Sequence, residues 1–342
     1  MKALYFLTAA LLLTTPTVGE AAGAALRCKY LFREDDPVSR AIRSFQSGQA
    51  DTTSLRQEVK FVLKSTDVAK QMEVLQGKFG SRFKNRDQAP EGYANVTSTH
   101  YMKVGKYFQS GKRLSTKVRF RKYFQRKLDD VNWQHLKVIP ELADRSWLEL
   151  KIDHPEFDNV VFKPRLQILD RDINSIITAH GYQGSRAGIA RRLHELNPTK
   201  KADVEKFLAY FDAMYSTPNM KVERMFAKTE YERTSYSIKI DNPAKPGEAI
   251  DIQITLDQSV HLTKLKNGQV IDAYKPDETV VEVKIPLAYA GLTRRDIEAI
   301  PELTEVKKLI EFLTGRHLPE YEMNSGKMGK IPIDEMDRQD ID

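Results

Sequence analysis

Residues 280–285 read Val-Val-Glu-Val-Lys-Ile, and the same order of acid, apolar residue, base and apolar residue occurs twice earlier in the chain. The copies are Glu58-Val59-Lys60-Phe61, Glu149-Leu150-Lys151-Ile152 and Glu282-Val283-Lys284-Ile285. Each lies in a stretch that alternates in period two, the signature of a strand. Residues two apart on a strand share a face, so each strand presents an acid and a base on one side and apolar side chains on the other. A fourth stretch, Val118-Arg119-Phe120-Arg121, carries two arginines at the same spacing. One such strand alone reads as a solvated sheet face with cross-strand ion pairs. Three copies plus an Arg-x-Arg strand point to a closed barrel, its charged faces turned toward one another and its apolar faces covered by helices.

Working outward from these strands, further strand patterns fall at about 95–104, 115–124 and 145–152, with another near 160–166. They resume at about 221–241, 249–257, 269–274 and 278–285. Between them the period changes to that of helices. Thr66 or Asp67 caps a helix with Val68, Met72, Leu75 and Phe79 on one face. Asp170 to His180 reads as a helix stopped by Gly181, Ser185 to Leu196 as one stopped by Asn197-Pro198, and Ala202 to Tyr215 as a third. A last helix is expected at 302–313, ended by Gly315. Strands segregated from helices argue for an α+β fold with a largely antiparallel sheet. The expected organisation is a segment to be removed at 1–24, an irregular lead-in at 25–53, and one tunnel domain at 54–330. That domain carries a helical insertion at about 168–216, and a loose tail follows at 331–342.

The composition is that of an ordinary globular protein, with 41% hydrophobic and 30% charged residues in 342. The formal net charge of +7 favours an anionic partner without naming it. A single cysteine, Cys28, excludes an intrachain disulfide, and the seven histidines form no zinc-type spacing. Lys2, the apolar run Ala3 to Leu13 and the small residues from Gly19 to Ala25 have the layout of a secretory signal peptide. The chain is therefore expected to be exported, either periplasmic or secreted; an uncleaved membrane anchor is the alternative. No later segment has the length and apolarity of a membrane-spanning helix.

Bases gathered in a bore repel one another and call for a polyanion. Arginine offers a planar fork to phosphate oxygens and lysine a point charge. The accompanying glutamates would suit a hard divalent cation. Together these are the equipment of phosphoryl transfer. The segment 112–127 holds eight bases and no acid. Alone, it also reads as a nucleic-acid or membrane-surface patch, with Phe120, Tyr123 and Phe124 as stacking groups. The glutamates on neighbouring strands would repel a nucleic-acid backbone, so a nucleic-acid partner is the weaker reading.

At this point the chain resembles the VTC (vacuolar transporter chaperone) polyphosphate polymerase domain, a branch of the triphosphate tunnel metalloenzymes. The resemblance spans roughly residues 54 to 330. It rests on KVRFRKYF at 117–124, WLELKI at 147–152, YERTSY at 231–236, ITLD at 254–257 and VVEVKI at 280–285. It implies an antiparallel β tunnel that binds polyphosphate, a nucleoside triphosphate or inorganic triphosphate. By resemblance, Lys60, Arg119, Arg121, Lys151, Arg233 and Lys284 bind phosphate, with Arg119, Arg121 and Lys151 stabilising the transfer. Lys327 and Lys330 resemble a paired-lysine motif of the family. The implied cofactor is manganese or magnesium on Glu282, helped by Glu149 or Glu58. The implied activity is polyphosphate polymerase-like phosphoryl transfer; a phosphohydrolase or a non-catalytic binder is the alternative. Two positions depart from the family pattern: Gln253 stands where an arginine is usual, and Met102-Lys103 where Phe-Asp is usual.

Overall fold

The computed structural model describes residues 31–32, 36–46, 56–86, 88–103, 106–109, 112–153, 160–217, 223–241, 247–266, 269–275 and 277–286. In chain order its strands begin with β1 (Leu31–Phe32), β2 (Arg56–Lys64), β3 (Phe83–Asn85), β4 (Tyr93–Lys103), β5 (Lys106–Gln109), β6 (Lys112–Lys127) and β7 (Leu136–Val138). They continue with β8 (Arg145–Asp153), β9 (Val160–Phe162), β10 (Arg165–Leu169), β11 (Glu223–Asp241), β12 (Ala249–Lys266), β13 (Gln269–Lys275) and β14 (Glu278–Pro286). The helices are α1 (Pro37–Gln46), α2 (Ser65–Phe79), α3 (Asp170–Ile176), α4 (Ala179–Leu196) and α5 (Lys201–Ser216).

Eight of the strands pair in a closed circuit. It runs β6-β4-β11-β12-β14-β2-β9-β8 and returns to β6 through the β6–β8 pairing. Every pairing in the circuit is antiparallel. The remaining strands extend the wall: β10 pairs β8, β13 pairs β12, β7 pairs β6, β3 pairs β11 and β5 pairs β6, all antiparallel, while β1 pairs β5 in parallel. Closure removes sheet edges and divides side chains strictly between bore and outer surface. The class expected from the charged strands, an α+β antiparallel barrel with helices outside, is the one adopted.

The outer faces explain the alternation. Val118 and Phe120 on β6, Leu148, Leu150 and Ile152 on β8, and Leu166 and Ile168 on β10 belong to one buried cluster. The helices complete that cluster with Val38, Ile42 and Phe45 of α1, Ile189 and Leu193 of α4, and Val204, Phe207, Leu208, Phe211 and Met214 of α5. Burial of this surface is the main favourable term in folding. A separate helix, α2, packs along β2, β3 and β14.

Two expectations change. Residues 25–53 were expected to be irregular, yet α1 forms at 37–46, with Val38, Ile42 and Phe45 wholly buried. The spacing 38, 42, 45 is helical; tertiary contact with α5 is what makes so short a segment stable. Gly181 does not stop a helix. It lies in the first turn of α4, where its N–H donates to Oγ1 of the capping Thr178 at 3.1 Å. A β-carbon there would lie 2.6 Å from Thr178 Oγ1 and 2.9 Å from the Ser175 carbonyl, so glycine permits a close junction. The α2 start also differs: residue 64 occupies the cap position, and neither Thr66 nor Asp67 does. The signal segment, Cys28, the 302–313 helix and the 331–342 tail lie outside the described residues. Among the described residues, no helix is long and apolar enough to cross a membrane.

The α1 contact yields a test. Phe45 meets the Phe207 ring edge-on at 5.1 Å between centroids. Phe45→Ala is expected to lower unfolding free energy by about 3–5 kcal/mol. Leu128→Ala, at a site 58% exposed, should change it by less than about 0.5 kcal/mol. Urea denaturation of both variants reads the difference; a Phe45→Ala cost as small as that of Leu128→Ala would mean that α1 does not belong to the core.

Candidate functional site

Strand parity places the charges. Odd residues of β6 and β8 share one face, and the even residues next to them fill the helical core. Arg119 and Arg121 therefore point to the side opposite Val118 and Phe120. The register puts Arg119 opposite Glu149 and Arg121 opposite Trp147. On the other side of β6, Tyr101 lies opposite Arg119 and Thr99 opposite Arg121. Across the barrel, Arg233 on β11 pairs with Asp257 on β12, and Thr255 with Glu282 on β14.

These side chains form two ion-pair groups. In the first, Glu149 receives both neighbouring guanidinium groups: Arg119 Nη2 lies 2.8 Å from Oε2, and Arg121 Nη1 lies 3.2 Å from Oε1. Arg121 also donates through Nε to Thr99 Oγ1 at 3.3 Å. In the second, Arg233 donates a fork to Asp257, with Nε–Oδ1 2.6 Å and Nη2–Oδ2 2.8 Å. Its Nη2 also lies 3.7 Å from Glu282 Oε2, and Lys284 Nζ lies 3.0 Å from the same oxygen. Lys284 donates to Thr255 Oγ1 at 3.2 Å.

Burial and pairing set the ionisation. Burial alone would raise the Glu149 carboxyl, but Arg121 and Arg119 outweigh it and hold the group at about 2. For Arg121, burial works against the charge and Glu149 works for it, with the net result well above the ordinary value. Arg233 follows the same logic, with burial opposed chiefly by Asp257. All three stay charged across the physiological range.

The two groups share a cavity of about 1290 Å³. Arg121, Glu149, Arg233, Gln253, Thr255 and Lys284 line it, and Lys163 and Arg165 add bases at the β9–β10 turn. Of the bases singled out from the sequence, the structure thus brings Arg121, Arg233 and Lys284 onto one wall. Arg119 is buried beside that wall and linked to it through Glu149. Lys151 lies one inward position beyond Glu149 on β8, half-buried and opposite Lys117. Lys60 and Glu58 stand opposite Glu282 and Lys284 in the β2–β14 register, but their side chains lie outside the described residues. Lys327 and Lys330 also lie outside them.

Within the basic segment 112–127, which alone reads as a nucleic-acid or membrane-surface patch, Arg119 and Arg126 are buried. Phe120, expected as a stacking group in that reading, is only 1% exposed and packs on the helices. Asp257 was missed, although it is wholly buried and forked by Arg233. It stands at the end of ITLD, on the face of Gln253 and Thr255, so parity alone would have placed it inside. Sequence reasoning also missed Trp147, which two residues before Glu149 falls on the same strand face by the same period.

A divalent cation needs several oxygen donors at one point. Among the described residues, no group of three or more acidic, histidine or cysteine side chains is placed to hold a metal ion. Glu149 and Glu282, expected as partners, belong to separate ion-pair groups. Each already faces a guanidinium or ammonium. Among the described side chains, Glu149 and Glu282 with their paired bases do not fit a resident cation; the Glu58 side chain lies outside the described residues.

The Glu149 pairing predicts an acid dependence of stability. The carboxyl falls from its ordinary 4.5 to about 2 on folding. A depressed carboxyl stabilises the fold above its unfolded pKa and loses that contribution as pH falls through the folded one. Over this window the loss is on the order of 3 kcal/mol. Glu149→Gln should therefore be less stable by about that amount near neutral pH, with the deficit shrinking toward zero as pH approaches 2. Denaturant unfolding at stepped pH measures it; a deficit independent of pH would refute the ion-pair account.

The chain gives no match to any family model and none among curated proteins. Among solved structures, HpAC1 from Hippeastrum, described as a putative adenylyl cyclase with a dominant triphosphatase activity, is similar over 77% of this chain and 98% of that one. The identity is 11% and the TM-score 0.28, a likeness too distant to carry an argument. The barrel rests on the strand pairings of this chain.

Proposed function

We propose that the bore binds polyphosphate or a nucleoside triphosphate and transfers the donor's terminal phosphoryl group to the end oxygen of a second phosphate chain, releasing the donor one phosphate shorter, as a polyphosphate polymerase-like phosphotransferase. The observation that carries this reading is the placement of Arg121, Arg233 and Lys284, from three strands of one closed barrel, on the wall of a single large cavity. Bases from different directions around a bore suit an extended anion with charge on every side. The resemblance to the VTC domain supports the same reading.

In this proposal, Arg121, Arg233 and Lys284 meet phosphate oxygens. Arg119 and Lys151 act with Arg121 on the charge of the transferring phosphoryl group, which spreads over its equatorial oxygens. Because these donors are fixed in a water-poor wall, they need little reorganisation when charge builds up. The hydroxyls of Thr255 and Ser235 line the same cavity and add neutral donors. The segment read as a signal peptide makes this an exported protein in the same proposal.

Gln253 supports a second reading, an exported phosphohydrolase or a polyphosphate holder. It lies opposite Lys284 on the adjacent strand and lines the cavity with an amide where the family pattern has a guanidinium. One fewer charge on the wall weakens stabilisation of a transition state more than it weakens holding.

Purified chain incubated with tripolyphosphate or ATP, with manganese or with chelator, separates these readings. Chain growth on a gel identifies a polymerase, released phosphate without growth a hydrolase, and binding without turnover a holder. Arg121→Ala and Lys284→Ala are expected to lower turnover by about 10²–10³. A wild-type chain that neither binds nor turns over any of these anions would sink the phosphate reading.

A further inference from the structure

The cavity wall changes chemistry along the strands. Successive inward positions of β6 are Arg119, Arg121 and Tyr123, and the opposing inward positions of β8 include Glu149 and then Trp147. The register pairs Arg119 with Glu149 and Arg121 with Trp147. Each step of two residues advances roughly 7 Å along a strand. Aromatic side chains therefore stand among the charged ones, with Trp147 directly opposite Arg121. Tyr123, Phe124 and Trp147 all line the cavity, and so do the apolar Ile139 and Leu142. An inorganic phosphate chain has no planar or apolar group to pack against these side chains.

Trp147 carries a second feature. The guanidinium of Arg165 lies over its ring, 4.5 Å from the ring centroid, and Arg165 also lines the cavity. Arg165 is exposed, so this pair sits where the cavity meets solvent. A flat cation on a flat indole is a platform for planar heterocycles, because bases stack on aromatic rings and on guanidinium planes alike.

Building on the phosphate reading above, we infer that Trp147 and Arg165 form a stacking shelf for the base of a nucleoside polyphosphate whose phosphates lie on Arg121, Arg233 and Lys284. The preferred ligand is then a nucleoside triphosphate, with the base at the rim and the phosphates inside. Tyr123 lies one inward step beyond Arg121, on the side to which the base would project. Trp147 is in this account a specificity residue and takes no part in the reaction.

The test is titration calorimetry of the full chain with ATP and with tripolyphosphate at one ionic strength. Tripolyphosphate is the more highly charged, so the informative quantity is the ratio of the two affinities in each protein. Trp147→Ala is expected to shift that ratio against ATP by about tenfold while leaving tripolyphosphate affinity within about twofold. Trp147→Phe, which keeps a stacking face, should restore most of the ATP affinity. Arg165→Ala, at an exposed position, should shift the ratio in the same direction without altering thermal unfolding. An unchanged ratio in both Trp147→Ala and Arg165→Ala, or a parallel loss for both ligands, overturns the shelf and leaves the phosphate site standing. Failure of the wild-type chain to bind either anion overturns the phosphate reading itself.

Discussion

Arg119 and Arg121 can be buried side by side because Glu149 stands between them. Two guanidinium groups in a low-dielectric wall repel strongly, and a carboxylate with one oxygen on each fork offsets that repulsion. Asp257 does the same for Arg233. The barrel therefore holds its bases in paired form, and the pairing fixes their rotamers. Prearranged donors need little further ordering when an anion arrives. A buried pair is costly to break by removing one partner, so each of these acids is tied to the integrity of the bore as much as to any ligand.

That arrangement needs an apolar outer surface to match. β6 and β8 carry charges inward and Val118, Phe120, Leu148, Leu150 and Ile152 outward, against α1, α4 and α5. The β6–β8 pairing both closes the circuit and lays this sheet surface under the helices. Barrel closure and the apolar core thus share the same two strands on this side of the molecule. The polar network among the helices, such as Arg192 forking Asp172 and Arg186 forking Asp212, fixes their packing away from the bore.

The cavity wall mixes two chemistries: Arg121, Arg233 and Lys284 line it together with Tyr123, Trp147 and Arg165. Antiparallel pairing sets Arg121 and Trp147 directly opposite one another, so a charged and an aromatic side chain meet at one height.

Period-two alternation determined most of the strands, and the acid-then-base order of 58–61, 149–152 and 282–285 determined that their polar faces share an environment. These signals are local, because side-chain direction on a strand follows directly from position. The same local rule misplaced Gly181, since a glycine that permits a close helix junction looks in sequence like one that ends a helix. It also missed α1, whose ten residues gain their stability from α5. Only the tertiary structure decided which acid meets which base. Glu149 and Glu282 carry identical local sequence signals, yet one is held by Arg119 and Arg121 and the other by Lys284 and Arg233. Lys284 is a local partner, two residues from Glu282 on one strand, but Arg119, Arg121 and Arg233 reach their acids through strand order, a property of long-range pairing that no local pattern encodes.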